Sequence, residues 1–332
     1  MSGVSPSGDL LAGLTVEQLD TTVRIASLSF SSLPSCLHSL LQLAFFNDKE
    51  PAFQTISVAE RTSITVVAEV AAIEKLASTV EDLHVDEVDW AVVRVGVGSE
   101  GQNQEMVGLV ERLTEPLASA GIPVLYQSTY STEYVLIPRN QLEQALECLA
   151  ALDASELVSE AADVPIAASS SSRHQHPLTV LNQSHVRVLR LDKHQRQRHT
   201  GELIRLLFLP QSSDGPRAAV CSLTETADEI SLFADAEWAS EYALEEPEGL
   251  QHDRQDWVCI RVGDLEAGTP LSETGVIATQ AKVLASANLS ILYHSTFHYD
   301  FTLVQREQVA IACEAFEAGG FKLHTNSELD SA

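Results

Sequence analysis

The chain has 332 residues, 47 acidic against 20 basic side chains, and a formal net charge of −27. That length exceeds one ordinary compact domain, and 45% hydrophobic residues supply enough apolar material for sizeable cores. A surface this negative repels phosphate backbones and anionic headgroups, which argues against nucleic acid and anionic membrane as partners. No run reaches the roughly 18 apolar residues of a membrane span, so no membrane insertion is expected. Five scattered cysteines without a CxxC pair, and no secretory leader at the N-terminus, lead to the expectation of a cytoplasmic protein.

In chain order, residues 1–19 read as a flexible N-terminus. A first unit over 20–87 opens on the strand around Val23-Arg24-Ile25 and carries a helix ending near Phe45. A second unit, 88–154, begins at Asp89-Trp90. Residues 155–183, with Ala167-Ala168-Ser169-Ser170-Ser171-Ser172, have the small polar composition of a flexible linker. The third unit, 184–252, has a strand at Val186–Leu191, a helix at Gly201–Leu209, strands at Ala219–Leu223 and Ile230–Ala234, and a helix at Ala236–Leu244. In the fourth, 253–326, Trp257–Val262 alternates as a strand and Ser272–Ala287 has helical apolar spacing. Leu289–His294 and Phe301–Val304 are strands, Arg306–Phe316 is a helix and Phe321–His324 a last short strand. That order is βαββαβ. The predicted fold class is α+β, with four ferredoxin-like units in two tandem halves.

The halves are copies. Residues 89–144 align without a gap to 256–311 at a constant offset of 167, and 18 of the 56 positions are identical. Arg94-Val95-Gly96 matches Arg261-Val262-Gly263, Leu117-Ala118-Ser119-Ala120 matches Leu284-Ala285-Ser286-Ala287, and Leu125-Tyr126 matches Leu292-Tyr293. A match this long with Trp and Gly in register means duplication.

No enzyme signature is present: no GxxxxGK[ST], HExxH or GxSxG, and Gly96-Val97-Gly98 lacks the third glycine of a dinucleotide loop. No cofactor, metal or catalytic residue is expected. His174-Gln175-His176 reads as a solvated stretch of linker, and Lys193-His194-Gln195-Arg196-Gln197-Arg198 as a solvated loop or a docking patch for an acidic partner. Asp300 is the notable acid. It follows Ser295-Thr296-Phe297-His298-Tyr299, between the middle strands of the fourth unit, and its repeat counterpart is Glu133. Either is an ordinary turn carboxylate or, beside an aromatic such as Phe297, a receiver for a guanidinium. Glu273, near Gly268 and Gly275, is either a helix-capping acid or a partner for a ligand ammonium, with helix N–H groups taking the ligand carboxylate.

Four such units, with Leu206-Leu207-Phe208-Leu209-Pro210, Ser222-Leu223-Thr224-Glu225-Thr226, Glu273-Thr274-Gly275-Val276-Ile277 and Ser295-Thr296-Phe297-His298-Tyr299-Asp300, resemble the CASTOR family of cytosolic arginine sensors acting on TORC1, whose units are ACT domains. The resemblance covers most of residues 20–325. It implies a non-catalytic sensor binding a free amino acid, arginine first, between the second and fourth units. Asp300 would receive the guanidinium, Glu273 would contact the ligand, and Ile277, Thr296 and Phe297 would form the wall. Val124 would contact it from the first half, and Gly268 and Gly275 would approach it by their backbone. Tyr130, Ser131, Thr132 and Glu133 would form a surface for a GATOR2-like complex, and a homodimer through the first and third units is implied. The chain departs from the family at Pro123, which stands in place of a serine and removes a hydroxyl and a backbone N–H.

Overall fold

The structure is a computed structural model and describes residues 14–47, 50–97, 107–152, 176–209, 218–244, 247–252, 254–263 and 268–325. The first unit comprises β1 (Leu14–Ser29), α1 (Leu33–Phe45), β2 (Phe53–Ala59), β3 (Ser63–Glu69), α2 (Val70–Ala77) and β4 (His84–Val85). The second has β5 (Trp90–Val97), α3 (Leu109–Ser119), β6 (Leu125–Ser128), β7 (Glu133–Pro138) and α4 (Leu142–Ala150). The third runs β8 (Leu178–Leu191), α5 (Arg196–Phe208), β9 (Val220–Thr226), β10 (Ile230–Asp235), α6 (Ala236–Leu244) and β11 (Leu250–His252). The fourth has β12 (Trp257–Val262), α7 (Val276–Ser286), β13 (Ile291–Ser295), β14 (Asp300–Gln305), α8 (Val309–Ala318) and β15 (Leu323–Thr325). The predicted βαββα order thus recurs four times.

Two boundaries differ from the sequence reading. Leu14–Leu19, placed outside the first unit, belongs to β1, and its first residues pair antiparallel with β5 (Thr15 opposite Gly96, Glu17 opposite Arg94). The same strand, past an irregularity between Gln18 and Thr22, pairs with β3. Likewise residues 178–183, assigned to the linker, lie in β8, where Thr179 opposes Arg261 of β12 while Val188 opposes Phe233 of β10. Each half therefore begins with one long strand that serves two units: its upstream part supplies the edge strand that the second or fourth unit lacks. Residues 155–175 lie outside the described residues. At the far end, β15 begins two residues later than predicted and pairs parallel with β8, not with β12.

The units fuse edge to edge. Seven residue pairs join β2 to β9, from Phe53 with Thr226 to Ala59 with Val220, linking the first and third units. His294 opposite Gln127 joins β13 to β6, linking the second and fourth. With β1 and β8 passing between the two layers, the sheet closes on itself. Helices cover its outer faces over apolar cores, one including Leu40, Ile64, Leu203 and Leu232, another Leu113, Leu117, Leu284 and Phe316. Inside, a smaller cluster with Val23, Phe53, Trp90 and Tyr134 lies between the layers. Polar side chains there pair as well: Ser57 Oγ lies 2.7 Å from His294 Nε2 across the gap, and the Thr55 and Thr224 hydroxyls are 3.1 Å apart across the β2–β9 seam. Burial alone pushes the His294 imidazole down to about 3, so it stays neutral.

The basic run at 193–198 is not a loop. It forms a helical turn and the start of α5. Lys193 pairs with Glu50, Arg196 with the fully buried Glu225 and with the Ala44 carbonyl, and Arg198 with Glu248. Lys193 and Arg196 thereby tie the third unit to the first.

Candidate functional site

Two short seams bring the second and fourth units together. The Tyr126 N–H donates to Ser295 Oγ at 3.0 Å, and the Tyr293 N–H donates to Ser128 Oγ at 2.9 Å. These are the same bond under the 167-residue offset, so the units meet about a pseudo-twofold axis. The helices obey it too. A Cβ on Gly275 would stand 3.7 Å from Ala118 Cβ, and one on Gly108 would stand 3.7 Å from Ala285 Cβ. Both glycines cap their helices in the left-handed region, at φ 81° and 79°, where a side chain is disfavoured.

Between these units lies a cavity of about 20 Å³ lined by Thr114, Ala118, Ile122, Val124 and Leu125 from one side, and by Thr269–Leu271, Glu273, Gly275–Ala278, Thr296 and Asp300 from the other. That is room for about one water. Its polar floor is Asp300, 8% exposed at the start of β14. Burial pushes this carboxyl up to about 6 against the opposing pull of Ser295, Tyr293 and His176, with Glu273 adding to the rise. Glu273 itself is held by His176, Nε2 to Oε2 at 2.9 Å, with both side chains mostly buried. The segment over the cavity is tied down. Thr269 N–H donates to the His298 carbonyl at 2.8 Å, Glu273 N–H to the Pro270 carbonyl, and Leu271 packs on the interlayer cluster with Trp90 and Leu125. The first N–H groups of α7 open toward the same space, as a helix start leaves them without intrahelical partners.

The turn that carries Thr296 and Asp300 is gripped from behind by the first unit. Phe297 N–H donates to Thr65 Oγ1 at 3.0 Å, His298 Nε2 lies 3.1 Å from Ser27 Oγ, and Arg261 pairs with Glu60 while lying 5.6 Å from the Tyr299 ring centroid.

A family model described as ACT domain matches residues 87–151 and 254–318, the second and fourth units. The cytosolic arginine sensor for mTORC1 subunit 1 of Bos taurus is 28% identical over 328 residues, covering 90% of this chain and 96% of that protein. The Homo sapiens sensor of the same name is 27% identical over 331 residues, covering 90% and 96%. The chain is thus similar to these arginine sensors over most of its length, and its second and fourth units match the ACT domain. Among solved structures, aspartate kinase from Synechocystis aligns with a TM-score of 0.35 at 10% identity, covering 94% of this chain and 57% of that one.

Six of the predicted ligand residues share the cavity: Val124, Glu273, Gly275, Ile277, Thr296 and Asp300. Two do not line it. Phe297 turns away, packs on the interlayer cluster and stacks on His84 at 6.4 Å, so its ring is not the expected cation–π face. Gly268, at φ 64°, passes under the His298 carbonyl, which a Cβ there would meet at 2.8 Å; its role is to let the covering segment through. Of the expected partner surface, Tyr130 and Ser131 are half-buried. Thr132 and Glu133 are buried, at 6% and 1% exposure. Tyr130 and Ser131 turn into the third unit, the Tyr130 N–H bonding Ser231 Oγ at 2.9 Å and Ser131 Oγ bonding Glu229 Oε2 at 2.8 Å. Sequence reasoning missed His176 because a histidine at the end of a small-residue linker carries no packing pattern. Ala118 and Thr114 were missed as well, although the repeated Leu-Ala-Ser-Ala motif contains Ala118 and held the clue to a small residue beside Gly275.

Proposed function

We propose that the chain is a non-catalytic sensor of a basic amino acid, arginine first, which binds between the second and fourth units. The single observation that carries this reading is the convergence of two carboxylates, Asp300 and Glu273, with a glycine-capped helix start in one closed cavity. A carboxylate out of water takes a guanidinium by charge-assisted, bidentate hydrogen bonds, and a helix start takes a carboxylate. Arginine carries both groups. The names of the mTORC1 sensors that the chain resembles support the same ligand and a role in TORC1 signalling. In this reading the first and third units are ACT domains too, the partner is a GATOR2-like complex, the homodimer forms through those two units, and the protein acts in the cytoplasm; no helix of the described residues is long and apolar enough to cross a membrane.

At about 20 Å³ the cavity admits no amino acid until the segment Thr269–Glu273 moves and the His176 imidazole leaves Glu273. Ligand affinity is then reduced by the cost of opening, and the ligand shifts the population toward the open-and-reclosed arrangement only by its differential affinity. Because the Asp300 turn is held by Thr65, Ser27 and Glu60 of the first unit, its displacement reaches the other layer. The test is calorimetric titration with arginine, lysine and neutral amino acids on wild type and Asp300→Ala. Loss of an arginine-binding event in the variant supports the reading; identical titrations of both proteins remove Asp300 from it. One observation favours a second reading, a ligand-free scaffold: Pro123 withholds the N–H and hydroxyl beside Val124. Thermal melts unmoved by any amino acid would select it, since a ligand of the native state raises stability.

A further inference from the structure

The pseudo-twofold axis between the second and fourth units has a consequence for ligand number. An operation that carries unit two onto unit four also carries unit four onto unit two, so the place of Asp300 beside a glycine-capped helix start has a counterpart. Two sides of that counterpart can be named. Glu133 takes the place of Asp300, Thr129 that of Thr296, Gly108 that of Gly275, and the start of α3 that of the start of α7. Across from them, Ala285 takes the place of Ala118, and Ser290-Ile291-Leu292 that of Pro123-Val124-Leu125. Residues 98–106 lie outside the described residues and form no part of the argument.

Three observations show that this place has ligand chemistry of its own. Glu133 is 1% exposed, and its Oε2 has no hydrogen-bond partner, an arrangement that costs free energy unless something serves it. The 3.7 Å approach of Gly108 to Ala285 reproduces the 3.7 Å approach of Gly275 to Ala118, so the small-residue gap beside the helix start is kept on both sides. Moreover, the strand facing Glu133 carries Ser290 where the strand facing Asp300 carries Pro123. The backbone N–H and hydroxyl missing from the first site are therefore present at the second.

We infer that the chain holds a second ligand site, pseudo-symmetric to the first, in which Glu133 receives the cationic side chain of a small basic amino acid between the start of α3 and the segment Ser290–Leu292. The proposal rests on the reading that the Asp300 cavity takes such a ligand. The two sites differ in proton chemistry. Burial pushes the Glu133 carboxyl up to about 8 against the pull of Ser128 and Tyr126, while that of Asp300 is at about 6. Near the start of α3, Glu111 is flanked by Arg112 and by Lys282 of α7, and its own carboxyl is raised by burial. At pH 7 Asp300 is mostly ionised and Glu133 mostly neutral. A cation arriving at Glu133 must displace about one proton, and one arriving at Asp300 only about a tenth of one.

The experiment is calorimetric titration of the full chain with L-arginine at pH 7 in phosphate and in Tris, whose ionisation enthalpies differ widely, on wild type, Asp300→Asn and Glu133→Gln, each checked for a single cooperative thermal melt without ligand. Wild type is expected to bind two arginines per chain. Asp300→Asn should keep one, whose heat differs between buffers by the release of about one proton; Glu133→Gln should keep one with nearly buffer-independent heat. Ala285→Leu, which fills the gap beside Gly108 without touching a carboxylate, should likewise remove only the proton-releasing site. A single arginine per chain, abolished by Asp300→Asn and unaffected by Glu133→Gln and Ala285→Leu, overturns the second site and leaves the first standing. No arginine heat from wild type overturns both.

Discussion

The Glu133 carboxyl and the His294 imidazole sit in the protein in their neutral forms, and each makes stability depend on pH with a definite sign. Glu133 is raised to about 8 by burial. From its ordinary value near 4.5 up to about 8, the folded chain keeps a proton that the unfolded chain has given up, so stability falls as pH rises through that window. His294, lowered to about 3, works the other way: between about 6.5 and 3 the unfolded chain binds a proton that the folded one refuses, and stability falls as pH drops. Glu133→Gln removes the first dependence. Its melting temperature relative to wild type should climb as pH is raised from about 4.5 and level off past about 8, by up to roughly 1.4 kcal/mol per pH unit within the window. A difference that stays flat across melts at pH 5, 6, 7 and 8 would mean that Glu133 ionises freely in the folded protein. At this scale much was legible from sequence. The repeat brought Glu133 and Asp300 out as equivalent acids, and both are buried at equivalent places. Their burial was not legible, because a carboxylate after a turn reads the same whether the turn meets water or another sheet.

Among the elements, β1 and β8 decide the architecture. The sequence shows where a unit's own strands begin, since Trp90 and Trp257 open alternating runs. It does not show that the place beside β5 is filled by residues upstream of the previous unit's first strand. Thr15, Glu17 and Gln18 are exposed, so that stretch carries little hydrophobic pattern, although Val16 and Leu19 each pack on an apolar cluster. Deleting residues 1–18, which composition marks as dispensable, bares the edge of β5. The expected loss is on the order of 2 kcal/mol, a fall of several degrees in melting temperature, with earlier proteolytic cutting in the second unit than in the third. Unchanged melting and cutting would show the upstream pairing to be inessential. The repeated Arg and Asp residues mark the joints between units. Arg24 Nε lies 2.6 Å from Asp89 Oδ1, and Arg187 Nε lies 2.6 Å from Asp256 Oδ1, so identities that looked like duplication alone fix each unit against the next.

For the whole molecule the telling feature is that the grips between layers are crossed. The turn of the fourth unit is held by Ser27 and Thr65 of the first, and the turn of the second by Glu229 and Ser231 of the third. Each half is thus completed by the other, through these turns and through the β2–β9 and β6–β13 seams. Residues 1–160 expressed alone should expose β2 and β6 as open edges and aggregate or stay partly unfolded, whereas co-expression with residues 161–332 should restore a soluble complex that melts near the intact chain. A soluble, cooperatively melting first half would contradict this. Nothing in the linear order foretells the crossing, because contacts such as Ser27 with His298 join residues 271 apart. The same crossing gives a ligand between units two and four a mechanical route to units one and three. The central claim, that Asp300 anchors a basic amino acid there, is tested most directly by calorimetry of arginine against wild type and Asp300→Ala at pH 7. The account predicts saturable heat on wild type whose Asp300-dependent part falls at least tenfold in affinity in the variant, and indistinguishable titrations of the two proteins would contradict it.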